Sequence, residues 1–248
     1  MSVFHFKRFD IINEASSMKV NTDGVLLGAA ATIAAGDCRV LDAGTGTGTI
    51  ALMLAQRYSG LHDAESDLPD ITGIDIDTLS AQEASANFLA SPWSLHLSAS
   101  SVSLQDHHPA GRYDLIVSNP PFFESSLLPP ERRRGMARHT AGEALSFESL
   151  IGFAADHLSD KGRISMILPS MQEQAVVRYA ASFGFPLFRI MRIRTTPRKD
   201  PSRIIVEFSR KNVVPVEKEL TIQDVRSYPE NRNGYTPEYL ALTGDFYL

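Results

Sequence analysis

The chain has a single cysteine, Cys38, which excludes an internal disulfide framework and fits a reducing compartment. It also lacks long apolar runs. No h-region opens the N-terminus and nothing approaches the length of a membrane span, so neither a signal peptide nor a bilayer helix is expected. The expected location is cytoplasmic. Positive charge is missing from one long stretch: from Tyr58 to Gly111 there are eight acids and no Lys or Arg. The rest of the chain is therefore net positive, although all 248 residues together carry −5. The seven histidines show no zinc-like spacing, so no metal is expected. Repeats and low-complexity segments are absent.

What is present is an alternation of strands and helices. Residues 3–11 alternate as one short strand. Thr22-Asp23 offers an N-cap for a helix through Ile33. Strands are predicted at 39–43, 71–75, 95–99, 114–118 and 163–168, and helices at 49–57, 80–89, 147–158 and 172–183. Residues 188–194 and 203–208 flank a Pro/basic turn and predict an antiparallel hairpin. The pattern implies an α/β fold: a Rossmann-like, doubly wound, mostly parallel sheet with a C-terminal antiparallel hairpin. Residues 1–35 form an N-terminal segment and 36–248 the Rossmann-like domain, compact as one unit. Ligands in such sheets lie outside the carboxyl ends of the strands.

Three segments end there. The first is the turn Asp42-Ala43-Gly44-Thr45-Gly46-Thr47-Gly48, where small residues let a ligand approach the backbone. Gly46 to Ala51 even satisfies the G-x-G-x-x-A dinucleotide pattern, which leaves a nicotinamide cofactor open. The second is Asp75, suited to ribose hydroxyls in either case. Asp42 favours S-adenosylmethionine, because a carboxylate before the glycines repels a pyrophosphate but receives the ammonium of a methionine moiety, directly or through water. Asp77 reads as a helix N-terminal acid that could share the ribose.

The third segment is Asn119-Pro120-Pro121-Phe122, after the apolar run 113–118. Its prolines lack N–H donors and hold the chain extended. The Asn119 amide and Pro120 carbonyl can then stand as fixed acceptors for a planar amino group, with the Phe122 ring beside them. This points to methylation of an exocyclic or amide nitrogen. The element does not separate a base from a glutamine amide. Two basic clusters fit an RNA acceptor: Arg132, Arg133, Arg134, Arg138 and His139, and a run from Arg189 to Arg203 that includes Arg198 and Lys199.

The glycine turn, Asp75 and Asn119 to Phe122 together resemble the Rossmann-like, S-adenosylmethionine-dependent amino-methyltransferases. Phe4-His5-Phe6-Lys7, the stretch Met18 to Gly28, Asn87 with Ser91-Pro92-Trp93, Ala137-Arg138-His139 and the Tyr235-Thr236 and Phe246-Tyr247-Leu248 endings are similar to bacterial tRNA1(Val) adenine-37 N6-methyltransferases. The resemblance spans nearly the whole chain. It implies S-adenosylmethionine bound by Lys19, Thr22, Asp23, Asp42, Gly44, Gly46, Gly48, Asp75, Ile76 and Ser101. It also implies a tRNA anticodon loop held by Lys7, Arg8 and the two basic clusters, with the enzyme a monomer or weak homodimer. Ser101 stands where the family usually has an acid near the cofactor adenine. Acceptors that stay open are a protein glutamine amide and rRNA guanine N2; a non-catalytic binding module is a further alternative.

Overall fold

The computed structural model describes residues 2–62, 64, 67–121, 145–227 and 232–247. The chain begins with a hairpin, β1 (Val3–His5) and β2 (Asp10–Ile12), paired antiparallel. The single strand expected over residues 3–11 is thus broken by a turn, closed by Phe6 N–H donating to Phe9 O at 2.9 Å. Phe6 and Phe9 cause it: both rings are buried and stack 4.6 Å apart. Helix α1 (Thr22–Ala30) follows, capped by Asn21 rather than by Thr22 or Asp23. The Asn21 Oδ1 accepts the Gly24 N–H at 2.8 Å.

The main sheet is built from β3 (Arg39–Ala43), β4 (Asp70–Asp75), β5 (Leu97–Ser101), β6 (Tyr113–Ser118), β7 (Leu158–Pro169), β8 (Leu187–Arg194), β9 (Arg203–Ser209) and β10 (Val216–Thr221). Its order is β10-β8-β9-β7-β6-β3-β4-β5. Every pairing is parallel except those of β9 with β7 and β8. The helices are α2 (Thr49–Ser59), α3 (Thr78–Leu89), α4 (Phe147–His157), α5 (Glu173–Ser182) and α6 (Pro237–Thr243). The sheet is doubly wound and Rossmann-like, and β8–β9 is the predicted hairpin. Strand order reverses between β3 and β6, where such folds open a crevice.

Strand alternation feeds two cores. On β6, Leu115 and Val117 join a cluster with Ile11, Leu27, Leu52 and Phe88, while Ile116 faces Leu41, Leu150 and Phe208. Residues of the N-terminal segment lie in the first cluster, so the segment is part of the domain core. Helix α3 pins it in place. The buried Glu83 carboxylate accepts the N–H groups of Glu14, Ala15 and Ser16 at 2.8, 2.5 and 3.1 Å. Asn87 exchanges bonds with Ile12 N–H and C=O at 2.7 and 3.0 Å and donates to Thr47 O at 2.9 Å. The end of α1 is tied to the sheet by buried Glu207, which accepts Thr32 N–H at 2.7 Å and Arg189 at 2.6 Å.

Candidate active site

The turn after β3 wraps over the end of β4. Gly44 and Thr45 N–H both donate to Ile74 O at 2.9 Å. Gly44 and Gly46 take left-handed backbone, φ 72° and 56°, which glycine adopts without strain. A Cβ on Gly44 would lie 2.6 Å from Leu145, so only glycine leaves the gap between turn and Leu145 open.

That gap belongs to a cleft of about 330 Å³ at the carboxyl ends of β3, β4, β5 and β6. Gly44, Gly46, Asp75, Ile76 and Asn119 all line it, as do Asp77 and Pro121. Three segments far apart in sequence thus meet at one site. A narrow extension between Asn119, Gly46 and the segment Met18 to Gly24 continues it.

The electrostatics are set by two carboxylates. Asp75 accepts Gly46 N–H and Asp77 N–H, each at 2.9 Å, and burial followed by the nearby Asp77 charge raises its pKa. Asp77 caps α3 by accepting Ser80 N–H and Oγ–H at 3.0 and 2.7 Å, bonds that lower its pKa. Asp42 is wholly buried beneath the turn and does not line the cleft. Its Oδ2 accepts Thr45 Oγ1–H at 2.8 Å, whereas Oδ1 has no partner among the described residues. Burial pushes its pKa up to about 7.

Asn119 sits where β6 ends, 5% exposed. Its Nδ2 lies 3.7 Å from Met18 Sδ, and its Oδ1 has no hydrogen-bond partner among the described residues. A buried carbonyl oxygen left without a donor costs roughly 1–3 kcal/mol. The site therefore holds an acceptor that a ligand N–H would satisfy.

Residues 25–184 match the methyltransferase small domain family. Over 99% of its length the chain is 41% identical to the tRNA1(Val) (adenine(37)-N6)-methyltransferase of Porphyromonas gingivalis, covering 94% of that protein. It is 39% identical to the namesake from Trichodesmium erythraeum, at 99% and 97% coverage. The chain belongs to this methyltransferase family. In structure it resembles a predicted O-methyltransferase from Agrobacterium tumefaciens (TM-score 0.64, 18% identity, 90% and 96% of the two chains). It also resembles the Thermus thermophilus 16S rRNA N2 G1207 methyltransferase solved with AdoMet and guanosine (TM-score 0.55, 17% identity, 85% and 50% covered). These two likenesses bear on the fold.

Other expected residues of this methyltransferase fall elsewhere. Ser101 ends β5 and bonds Thr78 Oγ1 at 2.9 Å; Val102, Ser103 and Leu104 line the cleft in its place. Lys19 reaches the narrow extension and donates its Nζ to Glu14 O. Thr22 and Asp23 line a different cavity, and Asp23 accepts from Arg203 Nε at 2.8 Å. Gly48 packs under Phe88 and caps α2 instead of facing the cleft. Lys7 donates to Gly244 O at 2.6 Å, and the Arg8 guanidinium lies 5.4 Å from the Trp93 ring centre. Phe122, Arg132, Arg133, Arg134, Arg138 and His139 lie outside the described residues.

The second basic cluster is largely neutralised. Arg189 pairs with Glu207, Arg192 with Glu173 and Glu217, Arg194 with Glu219, and Arg203 with Asp23. Arg198 and Lys199, at the β8–β9 turn, are exposed and make no ion pair among the described residues. Sequence reasoning missed Ser17, Met18, Ser103 and Leu145 on the cleft wall and Glu83 behind it. The signal for Glu83 is its position on the buried face of the helix that follows Asp75, the one acid within that helix.

Proposed function

We propose that this chain transfers the methyl of S-adenosylmethionine to the N6 of an adenine in tRNA, adenine 37 beside the anticodon of tRNA1(Val) in the form the relatives' name gives. The observation that carries the reading is the buried, unpartnered Asn119 Oδ1 beside a glycine turn and Asp75 in one cleft. The cleft's residues fit the cofactor. Bare backbone at Gly44 and Gly46 admits a close ligand, Asp75 suits the ribose, and Ile76, Val102 and Leu104 offer apolar faces to a base. Asp42 lies buried beneath the turn with its pKa raised to about 7, and a methionine ammonium bound above it would favour its charged form. S-adenosylmethionine brings an electrophilic sulfonium methyl and leaves as S-adenosylhomocysteine.

The chain's own contribution is orientation. The adenine N6 lone pair is delocalised into the ring and is a poor nucleophile. Asn119 Oδ1 and the Pro120 carbonyl accept its two N–H bonds, which favours a pyramidal nitrogen with the lone pair aimed at the methyl. Positioning of this kind supplies several kcal/mol. With the cofactor held by Gly44, Gly46 and Asp75, transfer would form the N–C bond as the S–C bond breaks, and the extra proton on N6 would pass to solvent. The reading gives Phe122 the role of stacking on the base, worth roughly 1–3 kcal/mol. A loop base is already partly unstacked, so extruding it costs less than in a duplex. The anticodon loop places the work in the cytoplasm, with the enzyme a monomer or weak homodimer.

Incubation with labelled S-adenosylmethionine and either total tRNA or a glutamine-bearing release factor tests the acceptor. Label is expected in tRNA. Label confined to protein refutes an RNA acceptor.

A further inference from the structure

A second cavity, of about 380 Å³, opens on the same edge of the sheet as the cofactor cleft. Three regions far apart in sequence build it, one of them the β8–β9 hairpin. They are the start of α1 (Thr22, Asp23), the hairpin with the end of β8 (Thr195) and the start of β9 (Arg203), and the stretch that runs from Gln223 after β10 to Tyr235 and Tyr239. Because β8 and β10 run parallel to the central strands, their carboxyl ends point the same way as those of β3, β4 and β6. The segment from Met18 to Asp23 is the partition. Its first part lines the extension of the cleft, and Thr22 and Asp23 line the second cavity.

The lining combines an aromatic wall with hydrogen-bonding groups. The wall comes from Tyr235, half-buried and packed on buried Tyr239 with ring centres 4.7 Å apart. Polar groups of both kinds converge on it. The Asp23 carboxylate accepts and the Arg203 guanidinium donates, and their ion pair is partly exposed, 21% and 34%. Gln223 adds an amide, whose Nε2 donates to Asn233 O at 2.9 Å. Such a set suits the edge of a base stacked on a tyrosine. The turn between β8 and β9, which supplies Thr195, also carries exposed Arg198 and Lys199, placed for the phosphates of the same strand. The volume falls in the range of small-ligand sites.

We propose that this cavity holds a nucleoside of the acceptor RNA that flanks the methylated base, splayed from its neighbours so that the strand crosses the Met18–Asp23 partition. The inference rests on the RNA-methylating reading of the cleft. It assigns Thr195, Gln223 and Tyr235 to substrate choice and not to methyl transfer itself.

The test is single-turnover methylation of an anticodon-arm RNA in which each nucleotide flanking the target adenine is made abasic in turn. The unaltered enzyme is expected to lose about tenfold or more at one flanking position, the size of one lost stacked base. Thr195→Trp, which fills the cavity from its exposed rim, is expected to lose a similar factor on intact RNA. It should lose nothing further on that abasic RNA, and calorimetry should show unchanged affinity for S-adenosylhomocysteine. Thr195→Ser should behave as the unaltered chain, and Thr195→Gln serves as a milder obstruction if tryptophan disturbs the fold. A Thr195→Trp enzyme that is fully active on intact RNA, or that still pays the abasic penalty, overturns the proposal. Absence of any transfer to intact RNA by the unaltered enzyme instead refutes the reading of the cleft, and this inference with it.

Discussion

Asn119→Ala removes an acceptor from the cleft and leaves the glycine turn and Asp75 in place. Methyl transfer is therefore expected to fall by on the order of 100-fold or more, as when one group stabilising a transition state is lost. Calorimetry should find S-adenosylhomocysteine affinity little changed; equal rates for variant and unaltered enzyme would refute the role given to Asn119. Asp42 makes a pH prediction. Burial raises its folded pKa to about 7, above the usual carboxylate value. At low pH both folded and unfolded chains hold the proton and no penalty arises. As pH rises toward 7 the unfolded chain ionises first, so stability is lost at up to about 1.4 kcal/mol per pH unit. Asp42→Asn keeps an acceptor for Thr45 Oγ1–H and should flatten that decline. Urea denaturation of both proteins across this pH range measures the difference. Equal slopes would mean that Asp42 is not the titrating group.

At the scale of elements, α3 determines the position of the N-terminal segment. Glu83→Ala strands three N–H donors at residues 14–16, next to the cleft residues Ser17 and Met18. A stability loss of about 2–4 kcal/mol is expected, with weaker cofactor binding, read by urea denaturation and calorimetry. The β8–β9 turn is expected to meet phosphates through Arg198 and Lys199. Replacing both by alanine should reduce the slope of log K against log salt for RNA binding by roughly 1.4, the single-strand value for two contacts. An unchanged slope would place the phosphates elsewhere. The sequence disclosed the convergence of Gly44, Asp75 and Asn119, because parallel strands bring their carboxyl ends to one edge whatever the loops do. It did not disclose β10. Glu217, Lys218 and Glu219 sit on an exposed edge strand, and such a strand lacks the apolar run that marks a buried one. The same strand explains why part of the second basic cluster is neutralised. Glu217 and Glu219 neutralise Arg192 and Arg194 across the β8–β10 pairing, which linear charge counts do not see. Ser101 does not line the cleft, because β5 runs on to it and the chain enters the cleft only from Val102 onward.

Over the whole molecule, charge is divided along the sheet. The base-free stretch from Tyr58 to Gly111 contains β4, α3 and β5 at one side, and the exposed Arg198 and Lys199 mark the other. On the proposed function, an RNA is expected to be repelled from the first flank and to approach from the second, the side on which the cavity of Tyr235 and Gln223 opens. The most direct measurement is mass spectrometry of unmodified tRNA1(Val) after incubation with the enzyme and S-adenosylmethionine, with nuclease fragments used to place the methyl. The expected result is one N6-methyladenosine, at adenine 37, that Asn119→Ala fails to make. A methyl on another nucleoside, or a tRNA left unmodified, would contradict it.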